Sequence, residues 1–187
     1  MNSEKRHITT EDPERRPLVA TLEIEPSTQQ YFNQLRRQHF PAERNYLNAH
    51  LTLFHALPHE PWIIEDLREL AKDQTPFEVT AQTIISLGGG TAFKISSAEL
   101  PAFHQKLRER WFEFLSRQDQ QKRNFHITVQ NKVDPQLAKK LQSELAQTFK
   151  PFSFIVTGFQ LWRYLGGPWE YVMTISFEGN APENLLL

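Results

Sequence analysis

The alternation of hydrophobic and polar positions predicts strands and helices that follow one another along most of the chain. In Leu18 to Ile24 every second residue is apolar, which predicts a strand with one buried face. Ser27 and Gln30 stand three residues apart, as in a capping box, and predict the start of a helix. The apolar positions predict that this helix buries Tyr31, Leu35 and either His39 or Phe40.

The predicted order of elements then occurs twice. The first copy has the helix from Ser27, a strand that contains His50, a helix opened by Pro61, and a hairpin formed by Phe77 to Leu87 and Thr91 to Ile95. The second has a helix burying Leu100, Phe103, Leu107, Trp111 and Leu115, a strand that contains His126, a helix capped by Asp134 and opened by Pro135, and a hairpin formed by Phe152 to Leu165 and Trp169 to Phe177. We interpret this order as an internal duplication, with repeats at about 27–96 and 97–178.

One tetrapeptide pattern, histidine-apolar-threonine-apolar, occurs in both repeats. It reads His50-Leu51-Thr52-Leu53 in the first and His126-Ile127-Thr128-Val129 in the second. Because side chains alternate along a strand, each histidine shares a face with its threonine while the apolar residues point into the core. Two lobes related by a pseudo-twofold axis would bring these faces together across a central groove.

The amino-acid composition excludes several classes of protein and several kinds of site. The 187 residues suit a single domain, and 39 % hydrophobic with 23 % charged residues is ordinary for a globular protein. Without cysteine there is no disulfide, thiolate metal site or cysteine nucleophile. A net charge of −1 argues against a strongly basic nucleic-acid protein, although it permits a local basic patch. We expect residues 1–16 to form a mobile, polar arm, residues 17–187 one bilobal domain, and the protein to be a cytoplasmic monomer without a membrane segment.

The paired motifs on duplicated lobes resemble the 2H phosphoesterase superfamily, which includes RNA 2′,3′-cyclic phosphodiesterases and the bacterial 2′-5′ RNA ligases. The resemblance covers about residues 18 to 178 and implies an α+β, two-lobed fold with antiparallel sheets flanked by helices. It departs from the cyclic phosphodiesterase branch after Leu53, where Phe54-His55-Ala56-Leu57-Pro58 follows. The implied partner is a nucleotide or RNA end that carries a cyclic phosphate or a 2′-5′ linkage.

Two histidines with pKa values near 6.5 suit acid and base roles near neutral pH. The resemblance implies a hydrolase in which His50 and His126 are the catalytic pair and Thr52 and Thr128 bind the phosphate, with ligation as the reverse reaction. We predict His126 as base and His50 as acid, and the reversed order stays open. Because these four side chains supply acid, base and anion contacts, we expect neither a metal nor a cofactor.

Substrate contacts are expected from the second hairpin, where Arg163 is placed to pair with a phosphate and Trp169 and Tyr171 to stack on a base. His55 is expected to face away from the site. Two alternatives stay open: a phosphodiesterase for a nucleotide-sugar cyclic phosphate, and an RNA- or nucleotide-binding module without catalysis. Loss of turnover on replacing either histidine, together with the salt dependence of activity, would separate these hypotheses.

Overall fold

The computed structural model describes residues 16–179 as seven strands and four α-helices. The predicted N-terminal arm, apart from Arg16, lies outside the described residues. The strands are β1 (Leu18–Ile24), β2 (Leu51–Leu57), β3 (Phe77–Ser86), β4 (Thr91–Ser96), β5 (His126–Gln130), β6 (Phe152–Tyr164) and β7 (Trp169–Ser176). The helices are α1 (Pro26–His39), α2 (Pro61–Asp73), α3 (Leu100–Trp111) and α4 (Pro135–Thr148).

All seven strands belong to one antiparallel sheet in the order β1-β2-β5-β4-β3-β6-β7. β6 also pairs with β1, so the pairings of six strands return to their starting point and β7 is added on β6. The long β6 makes this closure possible, because its first residues pair with β3 and its later residues with β1 and β7. The fold is therefore α+β and antiparallel, as predicted.

Equivalent positions of the two repeats face each other at two points of the sheet. Leu51 pairs with Ile127, and each follows the histidine of its own motif. Val79 pairs with Phe154, and each lies three residues after the proline that precedes its hairpin. These two pairs mark where a pseudo-twofold axis would pass. In the sheet β4 lies between β3 and β5, and the corresponding place between β6 and β2 is occupied by β1 rather than β7.

The helices lie in pairs against the two halves of the sheet. Helices α1 and α4 contact β3, β4 and β5, and α2 contacts β7. Helix α3 packs through aromatic rings, with Phe103 stacked on Phe159 and the edge of Trp111 against Phe54. Helices of one repeat thus support strands of the other, which joins the two repeats in one core. No helix within residues 16–179 has the length and apolarity to cross a membrane.

The first helix differs from its prediction. It begins at Pro26, one residue before Ser27, and its buried face carries Phe32 and Arg36 while Tyr31 is 40 % exposed. Proline at the first helical position set the start, because it fixes the backbone angle and needs no hydrogen-bond partner for its nitrogen. The second-repeat helix α4 agrees with its prediction, since Asp134 accepts a hydrogen bond from the backbone N–H of Gln136 at 2.8 Å.

Candidate active site

The two motifs are brought together where β2 meets β5. The strands are antiparallel and pair at Leu51 and Ile127, so this register sets His50 opposite Thr128 and Thr52 opposite His126. Cross-strand neighbours of this kind have Cβ atoms about 5 Å apart. The apolar positions of both motifs, Leu51, Leu53, Ile127 and Val129, are fully buried on the other face. The predicted alternation places all four polar side chains on one face.

The imidazoles of His50 and His126 are held in the same way. Nδ1 of His50 donates to the carbonyl of Asn48 at 2.8 Å, and Nδ1 of His126 donates to the carbonyl of Asn124 at 2.9 Å. A carbonyl oxygen only accepts, so each Nδ1 carries a hydrogen. The other nitrogen, Nε2, is then free on both rings to take or give a proton in the groove.

Both threonines present hydroxyls beside these rings. Thr52 is 8 % exposed and Thr128 is half-buried. Within residues 16–179 neither hydroxyl makes a hydrogen bond to another side chain or to the backbone, so both can donate to a ligand in the groove. Hydroxyls in this position would stabilise negative charge that grows on the oxygens of a phosphate during reaction.

The environment of His50 makes its charged form unfavourable. Burial lowers the pKa of His50 to about 4, and the positive charge of Arg36 acts in the same direction. One source of this burial is Trp169, whose ring centroid lies 4.7 Å from that of His50. In the absence of a ligand, His50 is therefore neutral at pH 7, with Nε2 as an acceptor.

An aromatic wall borders the His50 side of the groove. Trp162 and Trp169 line a pocket of about 90 Å³ together with His50 and Gln160. Tyr171 lies at the rim, 55 % exposed, with its ring against Trp162. The structure therefore places Trp169 in the groove and Tyr171 beside it, and adds Trp162, which donates from Nε1 to the hydroxyl of Thr21 at 2.9 Å.

Arg163 does not lie in this groove, contrary to the prediction. It follows Trp162 in β6 and therefore points to the opposite face of the sheet. There it donates to Glu170 at 2.7 Å and lines a different pocket with His59, Arg68 and Met173. Strand alternation moves its guanidinium away from the two motifs.

A larger cleft of about 370 Å³ borders the His126 side, and His55 and Arg123 line it. The prediction that His55 faces away is wrong. The pairing of β2 with β1 shifts register twice, between Leu18 and Ala20 and between Ala20 and Thr21, so the alternation that holds at His50 no longer holds at His55. Arg123 contacts both ring nitrogens of His55, at 3.0 and 3.1 Å.

Two arginines that the sequence did not single out, the buried Arg36 and the half-buried Arg123, hold the motif strands. Arg36 of α1 donates to the carbonyl of Thr128 at 2.9 Å, and Arg123 donates to the carbonyl of Thr52 at 2.8 Å. Nothing in the hydrophobic pattern indicates these contacts. The sequence did contain a signal for the roles of Asn48 and Asn124, because an asparagine stands two residues before the histidine in both motifs.

A family model described as the 2′-5′ RNA ligase superfamily matches residues 24–168, which include both histidine-threonine motifs. The chain belongs to this superfamily. Membership of the 2′-5′ RNA ligase superfamily agrees with the 2H phosphoesterase resemblance of the paired motifs. No functionally curated protein sequence matches the chain.

Solved structures share the superfamily fold at low sequence identity. TT0787 of Thermus thermophilus is 15 % identical with a TM-score of 0.59, covering 88 % of this chain and 100 % of that one. A protein described as a phosphoesterase is 19 % identical with a TM-score of 0.55, covering 87 % and 98 %. E. coli LigT, solved in complex with NADP⁺, is 18 % identical with a TM-score of 0.51, covering 88 % and 99 %. At these identities the likeness concerns the fold.

Proposed function

We propose that this protein is a phosphodiesterase of the 2H type that acts on the 2′,3′-cyclic phosphate or 2′-5′ linkage of RNA ends or nucleotides. The observation that carries the proposal is the matched pair of imidazoles. His50 and His126 each donate from Nδ1 to the backbone, so two free Nε2 atoms and two threonine hydroxyls share one face. A nucleotide as ligand is in keeping with E. coli LigT, whose structure holds NADP⁺.

The groups suffice for opening a cyclic phosphate. One Nε2 takes a proton from water as the water oxygen bonds to phosphorus. The other Nε2 gives a proton to the ribose oxygen as its bond to phosphorus breaks. Thr52 and Thr128 donate to the non-bridging oxygens, on which negative charge grows. These side chains supply the proton transfers and the anion contacts, so the proposal invokes no metal.

We assign His126 as the base and His50 as the acid. This assignment requires His50 to hold a proton in the complex, although burial lowers its pKa to about 4 in the free protein. A phosphate anion beside Nε2 would raise that pKa, because a nearby opposite charge favours the protonated form. The product isomer shows which ribose oxygen leaves and therefore which side of the phosphate the acid faces.

The reverse reaction uses the same groups. A 5′-hydroxyl in place of water would form the 2′-5′ linkage, provided that the two RNA ends are held together long enough to compete with hydrolysis. We also propose that the protein acts as a cytoplasmic monomer, organised as one bilobal domain of two repeats.

Incubation with 2′,3′-cyclic AMP and with a cyclic-phosphate-ended oligonucleotide in EDTA tests the proposal, with products separated by chromatography. We expect a single monophosphate isomer, and a fall in kcat of about 10²- to 10⁴-fold in His126→Ala and in His50→Ala. His39→Ala, outside the groove, is the matched control. Wild-type turnover in both variants would contradict the mechanism. Binding of nucleotide without turnover would instead identify a binding module, and turnover of a nucleotide-sugar cyclic phosphate alone would identify that substrate.

A further inference from the structure

A groove with a strongly basic lining runs along the surface beside α3 and the segment that leads to β5. We call it the basic groove; its volume is about 590 Å³ and its cations are Lys94, Arg108, Lys122 and Arg123. No aspartate or glutamate lines it among the described residues. In a chain with a net charge of −1, such a concentration of one sign marks a surface for an anionic ligand.

The basic groove begins at the candidate active site. Lys94 in β4 pairs with His126 in β5, and residues directly opposite each other share a face of the sheet. The cleft beside His126 and the basic groove also share Lys122, Arg123 and Asn124 in their walls. A ligand that leaves the reaction centre on the His126 side therefore enters a path lined by positive charge.

None of the four cations of this path is paired with a carboxylate within the described part of the chain, and Arg123 is held instead by the carbonyl of Thr52 and the ring of His55. Lys94, Arg108 and Lys122 make no ion pair with any carboxylate in residues 16–179. Arg110, on the same helix as Arg108, does pair with Asp66, at 2.6 Å.

Two carboxylates of neighbouring segments, Asp119 and Glu109, do not line the basic groove and are held by other groups. Asp119 is buried and accepts hydrogen bonds from the backbone N–H groups of His55 and Ala56, and Glu109 accepts from Gln105 at 2.8 Å. The positive field of the basic groove is thus available to a ligand.

We propose that the basic groove binds successive phosphates of single-stranded RNA leading away from the reacting phosphate. The identity of the reacting phosphate rests on the proposed function, whereas binding to the groove does not require turnover. The cleft and the basic groove each have the volume of a small-ligand site, about 300–1,000 Å³, which leaves room for nucleotides beyond the one at the centre. The aromatic wall at Trp169 takes a base on the opposite side. The preferred substrate is then an RNA end rather than a mononucleotide.

Fluorescence anisotropy with a labelled octanucleotide RNA that ends in a 3′-phosphate tests the groove without turnover. We expect the double variant Arg108→Gln, Lys122→Gln to bind this RNA roughly five- to twentyfold more weakly than wild type. In a plot of log affinity against log salt concentration, its slope should be less steep by about 0.7 for each charge removed. Lys139→Gln, an exposed lysine of α4 outside the groove, should bind like wild type. Equal affinity and equal salt dependence of wild type and the double variant would overturn the proposal.

Steady-state kinetics distinguish a basic groove that does not bind RNA from a reaction centre that lacks the proposed activity. With cyclic-phosphate ends, we expect kcat/KM to be larger for a tetranucleotide than for 2′,3′-cyclic AMP. The single variant Arg108→Gln, whose side chain lines the basic groove but not the cleft beside His126, should reduce that advantage while leaving the turnover of 2′,3′-cyclic AMP unchanged. Equal kcat/KM and equal salt dependence for both substrates would overturn the groove and leave the reaction centre intact. RNA binding that depends on Arg108 and Lys122, without turnover of any substrate, would support the groove and overturn the proposed reaction.

Discussion

Nη1 of Arg36 donates a 2.9 Å hydrogen bond to the carbonyl of Thr128, although the two residues lie in different repeats of the chain. The Nε of the same guanidinium donates to Asn45 and Leu47, in the segment that leads to His50. Arg36 therefore fixes the position of one motif relative to the other. The hydrogen bond from Arg36 supplements the pairing of β2 with β5, which consists of the single residue pair Leu51 and Ile127.

Arg36→Met should lower both stability and turnover. The substitution keeps much of the side-chain volume but leaves three backbone or amide acceptors without their charged donor, at a cost of about 2–4 kcal/mol in the free energy of unfolding. Urea unfolding measures this cost, and kcat for cyclic phosphate opening measures the loss of alignment between His50 and Thr128.

Arg37→Met is the matched control, because Arg37 is the exposed neighbour on the same helix. A positioning role predicts that Arg36→Lys recovers part of the stability and less of kcat, since one ammonium cannot reach all three acceptors in the fork geometry of a guanidinium. Full recovery of both by Arg36→Lys would contradict this role.

The threonine hydroxyls can be tested without changing the shape of the strands. Thr128→Val replaces the hydroxyl with a methyl group, and we expect kcat to fall by about 10²- to 10³-fold if the hydroxyl stabilises charge on the phosphate. Thr128→Ser keeps the hydroxyl and should retain most of kcat. Steady-state kinetics on 2′,3′-cyclic AMP compare the two, and equal activity in both variants would show that the hydroxyl of Thr128 does not contribute to the reaction.

Trp169→Ala should change two measurements at once. Removing the indole exposes the imidazole of His50 to water, so its pKa should rise from about 4 toward the ordinary histidine value. The loss of a stacking surface should weaken nucleotide binding by about 1–3 kcal/mol. NMR titration of the His50 ring protons follows the first effect, and calorimetry with 3′-AMP follows the second.

Tyr171→Phe serves as the control for Trp169→Ala. It removes the hydroxyl that donates to Thr174 but keeps the ring against Trp162, so neither the pKa of His50 nor nucleotide affinity should change much. If Trp169→Ala left the pKa of His50 near 4, then other neighbours would account for its burial.

The sequence predicted the structure best where the two-residue alternation of a strand occurred in the same tetrapeptide of both repeats. The alternation around His50 and His126 predicted which side chains share a face, because a short regular strand leaves the backbone no other choice. Prediction failed for His55, where two register shifts interrupt the alternation, and for Arg163, whose face depends on the count of residues along a long strand. The crossed contacts of Arg36 and Arg123 join residues far apart in sequence, so no local pattern could indicate them.

His104 should make the protein less stable in mild acid. Its ring stacks on Phe54 at 4.8 Å and is 4 % exposed, and burial lowers its pKa to about 4. Between that value and the ordinary pKa near 6.5 the unfolded chain binds a proton that the folded protein does not, so stability falls as the pH is lowered through this window. Urea unfolding from pH 7.5 to 4.5 should show the loss, with a smaller slope in His104→Gln. His50 contributes in the same direction, and the double variant His50→Gln, His104→Gln should have a smaller slope still. An unchanged slope in His104→Gln would mean that other groups cause the acid sensitivity.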